Sequence, residues 1–345
     1  MPATAQRIAY QPTDPGETIA LGAAPYIVYA VPDASEAITW RGQPASPRLI
    51  YAALPADERV APTMLFDVVG SEDEGPGTPV AQDYAPHPAI WRIGDKDTTI
   101  WLFGTVHVLP PGFVWRDARI DSVAKRARAL IVESIDSSAP ASFRPEKEAK
   151  LPPLVERASA DHRDALRAQQ AKMPAPAVAL MDRMPTWMAA IAIGFTREVH
   201  AGQASAAGAD DDLETRFRKA GKPVTAIEDG AAVMKALNAT PEAQQREMLD
   251  QAIDAETQSD DARFAAVHAW AKGDLAALAT ELGRTADPLS KPLMHDRNRA
   301  WAAALATRLR RPGRVLFAAG AAHFVGPGSV IALLQKRGIR VVRLP

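Results

Sequence analysis

The chain has no cysteine among its 345 residues. Disulfides, thiolate metal sites and a cysteine nucleophile are therefore all excluded. A cysteine-free chain suits cytosol and periplasm equally. Net charge is almost absent too: the formal balance is −1 and the pI is near 6.7. That argues against nucleic acid as the main ligand. No run of about eighteen apolar residues occurs, so no transmembrane segment is expected. The opening Met1-Pro2-Ala3-Thr4-Ala5-Gln6-Arg7 lacks the apolar centre of a signal peptide. As written the chain reads as cytoplasmic; a processed or trimmed start would make it periplasmic or secreted. Several motifs are missing as well. Without Gly-x-Ser-x-Gly there is no α/β-hydrolase nucleophile elbow. Without His-Glu-x-x-His there is no standard zincin helix, and neither a P-loop nor a Gly-x-Gly-x-x-Gly fingerprint appears.

What is present is an ordinary globular composition, 47% apolar, enough for one large domain or two unequal ones. Residues 1–86 stand apart. They are rich in Pro and Gly, and Ser71-Glu72-Asp73-Glu74-Gly75-Pro76-Gly77 reads as a loop. β-like runs at 26–31, 48–51 and 63–69 predict a small β-rich or partly disordered appendage. From Pro88 the pattern is mixed α/β. A hairpin is predicted over 90–93 and 98–103, joined by Gly94-Asp95-Lys96-Asp97. Helical spacing over 116–129 leads into the short apolar strand 130–132. An Ala-rich helical insertion follows at about 140–205. The strand 223–227, helices within 231–282, a long helix over 292–310, the strand 315–319, a helix near 330–337 and a closing strand 340–344 complete the chain. This order predicts an α/β fold: a central mixed sheet flanked by helices, carrying a helical insertion.

Two Gly-x-x-His motifs lie 216 positions apart, Gly104-Thr105-Val106-His107 and Gly320-Ala321-Ala322-His323. Each follows an apolar strand. Glycine at such a point permits a sharp turn or a close approach to a ligand. The histidine then stands at the strand's carboxyl end, where open parallel sheets bind ligands. Two such histidines, brought together, suit a divalent metal or acid–base chemistry. A run of Pro and Gly follows both (Pro110-Pro111-Gly112 and Gly326-Pro327-Gly328), an echo that resembles two halves of one site.

Acids also end strands. Glu133 follows 129–132, and an unpaired buried carboxylate is costly, so it needs a cation, a donor or water. With His107 and His323 it makes a two-histidine, one-carboxylate set with open positions for water and substrate. Glu228 ends the 224–227 strand, either as a pocket acid or as a cap for the next helix. Asp210, Asp211 and Asp212 precede a helix, where one of them suits a capping role. Arg297 offers a planar fork for a carboxylate or a developing oxyanion.

These segments, in order, carry a resemblance. Ile90-Trp91-Arg92-Ile93 and the stretch from Thr99 to Pro110, Lys222 to Glu228, Trp270-Ala271-Lys272-Gly273-Asp274-Leu275, Arg297-Asn298-Arg299-Ala300-Trp301, the second Gly-x-x-His and the last strand are similar to the TraB/GumN (TraB/PrgY/Tiki) family over roughly 87–345. The resemblance divides the chain at 86 into an appendage and a TraB/GumN-like domain. Animal relatives of the Tiki type are described as metal-dependent proteases, so it implies a metal-dependent hydrolase acting on peptide bonds. His107, His323 and Glu133 would then hold Mn, Co or Zn. Glu133, Arg297, Asn298 and Glu228 would serve catalysis. Gly104, Gly320 and Asp210, the last in a Gly-x-Asp element of the family, would contact substrate. The partner is a peptide or small molecule. The competing expectation is a non-catalytic protein that sequesters a peptide or haem-like ligand in the same cleft, for which a wide apolar cleft is the mark.

Overall fold

The computed structural model describes residues 18–21, 24–31, 48–55, 66–69, 82–109, 113–134, 151–171, 178, 181–200, 208–255, 260–284 and 290–345. The Pro110-Pro111-Gly112 half of the motif echo lies outside them, as do stretches of the helical insertion. The chain divides into two compact units. One comprises 1–78, 137–204 and 237–257; the other comprises 79–136, 205–236 and 258–345. The architecture is α/β, as the element order predicts. No helix among the described residues is long and apolar enough to cross a membrane.

The first unit holds a four-stranded antiparallel sheet, β1 (Thr18–Leu21), β2 (Ala24–Val31), β3 (Arg48–Pro55) and β4 (Phe66–Val69), in sequential order. Three of these strands fall on the β-like runs of the sequence; β1 is additional. Its helices include Leu154–Arg157, Thr186–His200 and Glu242–Ala255. Arg157 is buried there. Its guanidinium donates to the carbonyl oxygens of Pro152 (2.7 Å), Met184 (2.6 Å) and Asp182. This buried cation is tolerable because carbonyl dipoles take its donors and the charges of Glu242 and Asp182 act on it favourably.

The second unit is built on a six-stranded mixed sheet. Its strands are β5 (Ile90–Gly94), β6 (Thr98–Thr105), β7 (Ala129–Val132), β8 (Val224–Ala226), β9 (Gly313–Gly320) and β10 (Val342–Arg343), in the order β10-β5-β6-β9-β7-β8. β5 is antiparallel to β6 and β10, while β6, β9, β7 and β8 run parallel. The β5–β6 turn is tied by Asp95, whose Oδ1 accepts from the N–H groups of Asp97 and Thr98. β6 is covered on both faces, which explains its unbroken apolar run. Ile100 and Leu102 pack with Trp301, Leu305, Phe324 and Leu334. Trp101 and Phe103 pack on the other side with Trp115, Phe217 and Trp270. Each such buried side chain contributes about 1.5–3 kcal/mol.

The sequence predicts one broken helical stretch over 231–282; it is four helices, Gly230–Asn238, Glu242–Ala255, Asp260–Lys272 and Leu275–Arg284. The break at 273–274 has a local cause. Gly273 takes φ 68°, a left-handed helix stop. Asp274 then caps the next helix through Oδ1, accepting from Ala276 and Ala277 N–H.

The strand order matters most for function. β9, late in the chain, lies between β6 and β7. It pairs with β6 in parallel register from Thr98 opposite Gly313 to Thr105 opposite Gly320. The carboxyl ends of β6, β9, β7 and β8 therefore form one edge. His107, His323, Glu133 and Glu228 all follow those ends.

Candidate functional site

Gly320 is the centre of the site. A Cβ placed on it would lie 3.2 Å from Glu133 Oε1, 3.4 Å from His107 Nε2 and 3.7 Å from His323 Cδ2. The missing side chain leaves a cradle where both imidazoles and the carboxylate converge. The Gly320 N–H also donates to Glu133 Oε1.

The two motifs reach this point by different backbones. β6 continues through Thr105, and His107 lies beyond it with its side chain 58% exposed. β9 stops at Gly320, and a short 3₁₀ turn, Ala321–Phe324, carries a buried His323 inward. Gly104 has another place. A Cβ there would meet Ala321 Cα at 2.9 Å, so this glycine lets the 3₁₀ turn press on β6. Its carbonyl accepts from Trp270 Nε1 at 2.7 Å. Gly104, expected as a substrate contact, thus also serves the packing of the turn on β6.

Each imidazole is held by its Nδ1. His107 Nδ1 lies 2.6 Å from Asp210 Oδ2. His323 Nδ1 lies 2.6 Å from Asn298 Oδ1, and the Asn298 amide is oriented by donating through Nδ2 to Gly328 O at 3.0 Å. Asn298 is therefore an orienting group, and its amide assignment follows from that network. With Nδ1 donating, Nε2 is the nitrogen left on the inner side of each ring, beside Gly320 in His107 and 3.8 Å from Glu133 Oε1 in His323. Asp210 lies in the first turn of the helix Ala209–Lys219, and its bonded oxygen goes to His107 rather than to the helix. Gly208 allows this, since a Cβ there would lie 2.3 Å from His107 O.

Arg297 fills the other flank. Its Nε and Nη2 donate to Glu228 Oε2 (2.9 Å) and Oε1 (2.6 Å), and Nη2 also donates to Glu133 Oε2 at 2.8 Å. Nη1 stands 3.5 Å from His323 Nε2. Glu228 grips the guanidinium bidentately. Trp301, one helical turn beyond Arg297, donates through Nε1 to Glu228 Oε2 at 2.9 Å. Sequence reasoning missed Trp301 as a site residue. The signal was available, because positions 297, 298 and 301 share a helix face.

The electrostatics separate the two histidines. The Asp210 hydrogen bond raises His107 to about 9, against the opposing pull of burial. Burial lowers His323 to about 4, with Arg297 and His107 adding to the fall and Glu133 opposing it. Burial pushes Glu133 up, but His323, Arg297 and the Gly320 N–H outweigh it and hold the carboxyl below its usual value. Arg297 is raised by Glu228 and Glu133 despite its burial.

Residues 89–343 match the sequence model of the TraB/PrgY/gumN family, about three quarters of the chain. The chain belongs to the TraB/PrgY/gumN family. No curated protein and no solved structure matches it. Both Gly-x-x-His motifs, Glu133, Asp210, Glu228, Arg297 and Asn298 lie inside the TraB/PrgY/gumN segment, and the fold gathers all of them except Gly104 around one cradle.

Among the described residues, no group of three or more His, Asp or Glu side chains stands at metal-holding spacing. The donor chemistry nevertheless fits a divalent ion. His107 Nε2, the edge of the His323 ring and a carboxylate oxygen face one cradle, and each imidazole's Nδ1 is bonded to Asp210 or Asn298, the way a partner orients a metal-ligating histidine. His323 Nε2 and Glu133 Oε1 are 3.8 Å apart, two acceptors facing each other with no proton between them in the neutral tautomer.

Proposed function

We propose that this member of the family is a metal-dependent hydrolase acting on acyl bonds, peptide bonds foremost. The observation that carries the reading is the Gly320 cradle, where His107 Nε2, Glu133 Oε1 and the His323 ring converge. In this reading His107, His323 and Glu133 hold the ion. When bound, a divalent ion such as Mn, Co or Zn supplies Lewis acidity and lowers the pKa of its water.

The chain's own groups account for the rest. Asp210 and Asn298 keep the two imidazoles in the tautomer whose Nε2 faces inward. The Gly320 N–H fixes one Glu133 oxygen and Arg297 the other. Among the described residues Arg297 Nη1 has His323 Nε2 rather than a carboxylate beside it, so it is the donor placed to receive a substrate oxygen as charge develops on it. Apart from the Trp301 ring against His323, the groups at the imidazoles are Glu133, Arg297, Asp210 and Asn298, a charged surround that favours hydrolysis over a haem-type ligand.

The deciding experiment is a peptide-library cleavage assay on the full chain with manganese, cobalt or zinc, paired with calorimetry of each metal. Metal-dependent cleavage that His107→Ala and His323→Ala abolish is the expected result. Absence of cleavage with all three metals, or unchanged metal affinity in both variants, would overturn the reading.

A further inference from the structure

We propose that Trp301 is the positioning residue of this site, setting Arg297 and His323 at once with a single indole. The inference rests on the hydrolase reading above and adds the device that aims its two inner groups. Trp301 is 1% exposed and leans edge-on against Phe317, with ring centroids 5.8 Å apart. Its ring lies 4.2 Å from the His323 imidazole and 4.7 Å from the Arg297 guanidinium carbon. Its Nε1–H donates to Glu228 Oε2, the oxygen that also accepts Arg297 Nε.

The chemistry explains why this position holds tryptophan. A buried indole N–H needs an acceptor, and a carboxylate as covered as Glu228, 12% exposed, needs several donors. Each satisfies the other. Glu228, anchored by Trp301, grips Nε and Nη2 in the planar fork geometry that fixes the guanidinium plane. Among the described residues Nη1 is thereby left to face His323 Nε2, at 3.5 Å, rather than a carboxylate. The indole face holds the guanidinium from the side by cation–π attraction. The same ring walls the imidazole, whose rotation Asn298 alone would restrain at one atom.

Phenylalanine at 301 keeps the face and removes the N–H, so Trp301→Phe separates the two actions. The first measurement is solvent exchange of the Arg297 Nε–H in ¹⁵N-arginine-labelled full-length protein, the resonance assigned by its loss in Arg297→Lys. Exchange is expected to quicken roughly tenfold in Trp301→Phe, the effect of losing one hydrogen bond in a charged network. Adding Trp301→Phe to Glu228→Gln should then change little, because the indole N–H acts through Glu228. In the cleavage assay, Trp301→Phe should lower kcat about tenfold with KM nearly unchanged, the pattern of an interaction used in the transition state. Metal affinity should stay at the wild-type level. Arg297 Nε–H exchange identical in wild type and Trp301→Phe would overturn the proposal. If the wild-type chain cleaves nothing, the hydrolase reading fails, and the exchange measurement still decides whether Trp301 holds Arg297.

Discussion

Asp210 places one oxygen on His107 Nδ1, while its other, Oδ1, is buried with no partner in the structure. A buried acceptor without a donor is costly, and the strong His107 bond is the return. Because His107 titrates near 9, it carries a proton at neutral pH that metal must displace. Metal uptake at pH 7.5 should release about one proton. Calorimetry in two buffers of different ionisation heat would read it, and no buffer dependence would contradict it. Asp210→Asn should return the His107 pKa toward about 6.5, visible in an NMR titration of its ring. Sequence reasoning left Asp210 open between capping and the site. Propensity alone places any of Asp210, Asp211 and Asp212 in a helix's first turn. Only the approach of Gly208 to the His107 carbonyl decides that Asp210 faces the imidazole.

At the scale of elements, two glycines that look alike in sequence have opposite consequences. At Gly104 a methyl meets backbone, Ala321 Cα at 2.9 Å, so the 3₁₀ turn must shift. Gly104→Ala should cost about 1–3 kcal/mol of stability, in the range of overpacked cores. At Gly320 the nearest atoms are ends of side chains, at 3.2–3.7 Å. Gly320→Ala should melt close to wild type and lose metal affinity, because the methyl fills the cradle. Thermal melts and calorimetry on both variants check the contrast; a badly destabilised Gly320→Ala would count against the cradle. The strand-then-histidine pattern was legible because buried parallel strands must be apolar and must end in a turn. The difference between the two turns was not. β6 runs one residue past its glycine, and β9 ends at its own.

For the whole molecule, pH acts on stability from both sides. His323 falls to about 4 in the folded state. Its contribution is full above about 6.5, the unperturbed value, and is lost as pH falls from there through about 4. His107 is raised to about 9. Its contribution is full below about 6.5 and is lost as pH rises through about 9, weakened by its exposure. Metal-free protein should therefore be most stable close to neutral pH. Urea midpoints across pH 4–9.5 would show it, and His323→Gln should flatten the acid side alone. The appendage expectation also belongs at this scale. We expect a chain starting near Ala85 to stay soluble and melt cooperatively; aggregation would show that residues 1–86 cover part of the core.

Local pattern by itself determined the strand ends, the two Gly-x-x-His turns and the acids after β7 and β8, and the order of these segments carried the resemblance to the family. These follow from short-range physics, since alternation, apolar runs and glycine turns are written in neighbouring residues. The tertiary structure decided what neighbours cannot encode. It inserted β9 between β6 and β7, so that residues 216 positions apart meet at Gly320. It packed Gly104 against Ala321, paired Glu228 with Arg297, and set Trp301 beneath both Arg297 and His323. Such assignments depend on which faces the sheet brings together, and that is a property of strand order rather than of any one segment.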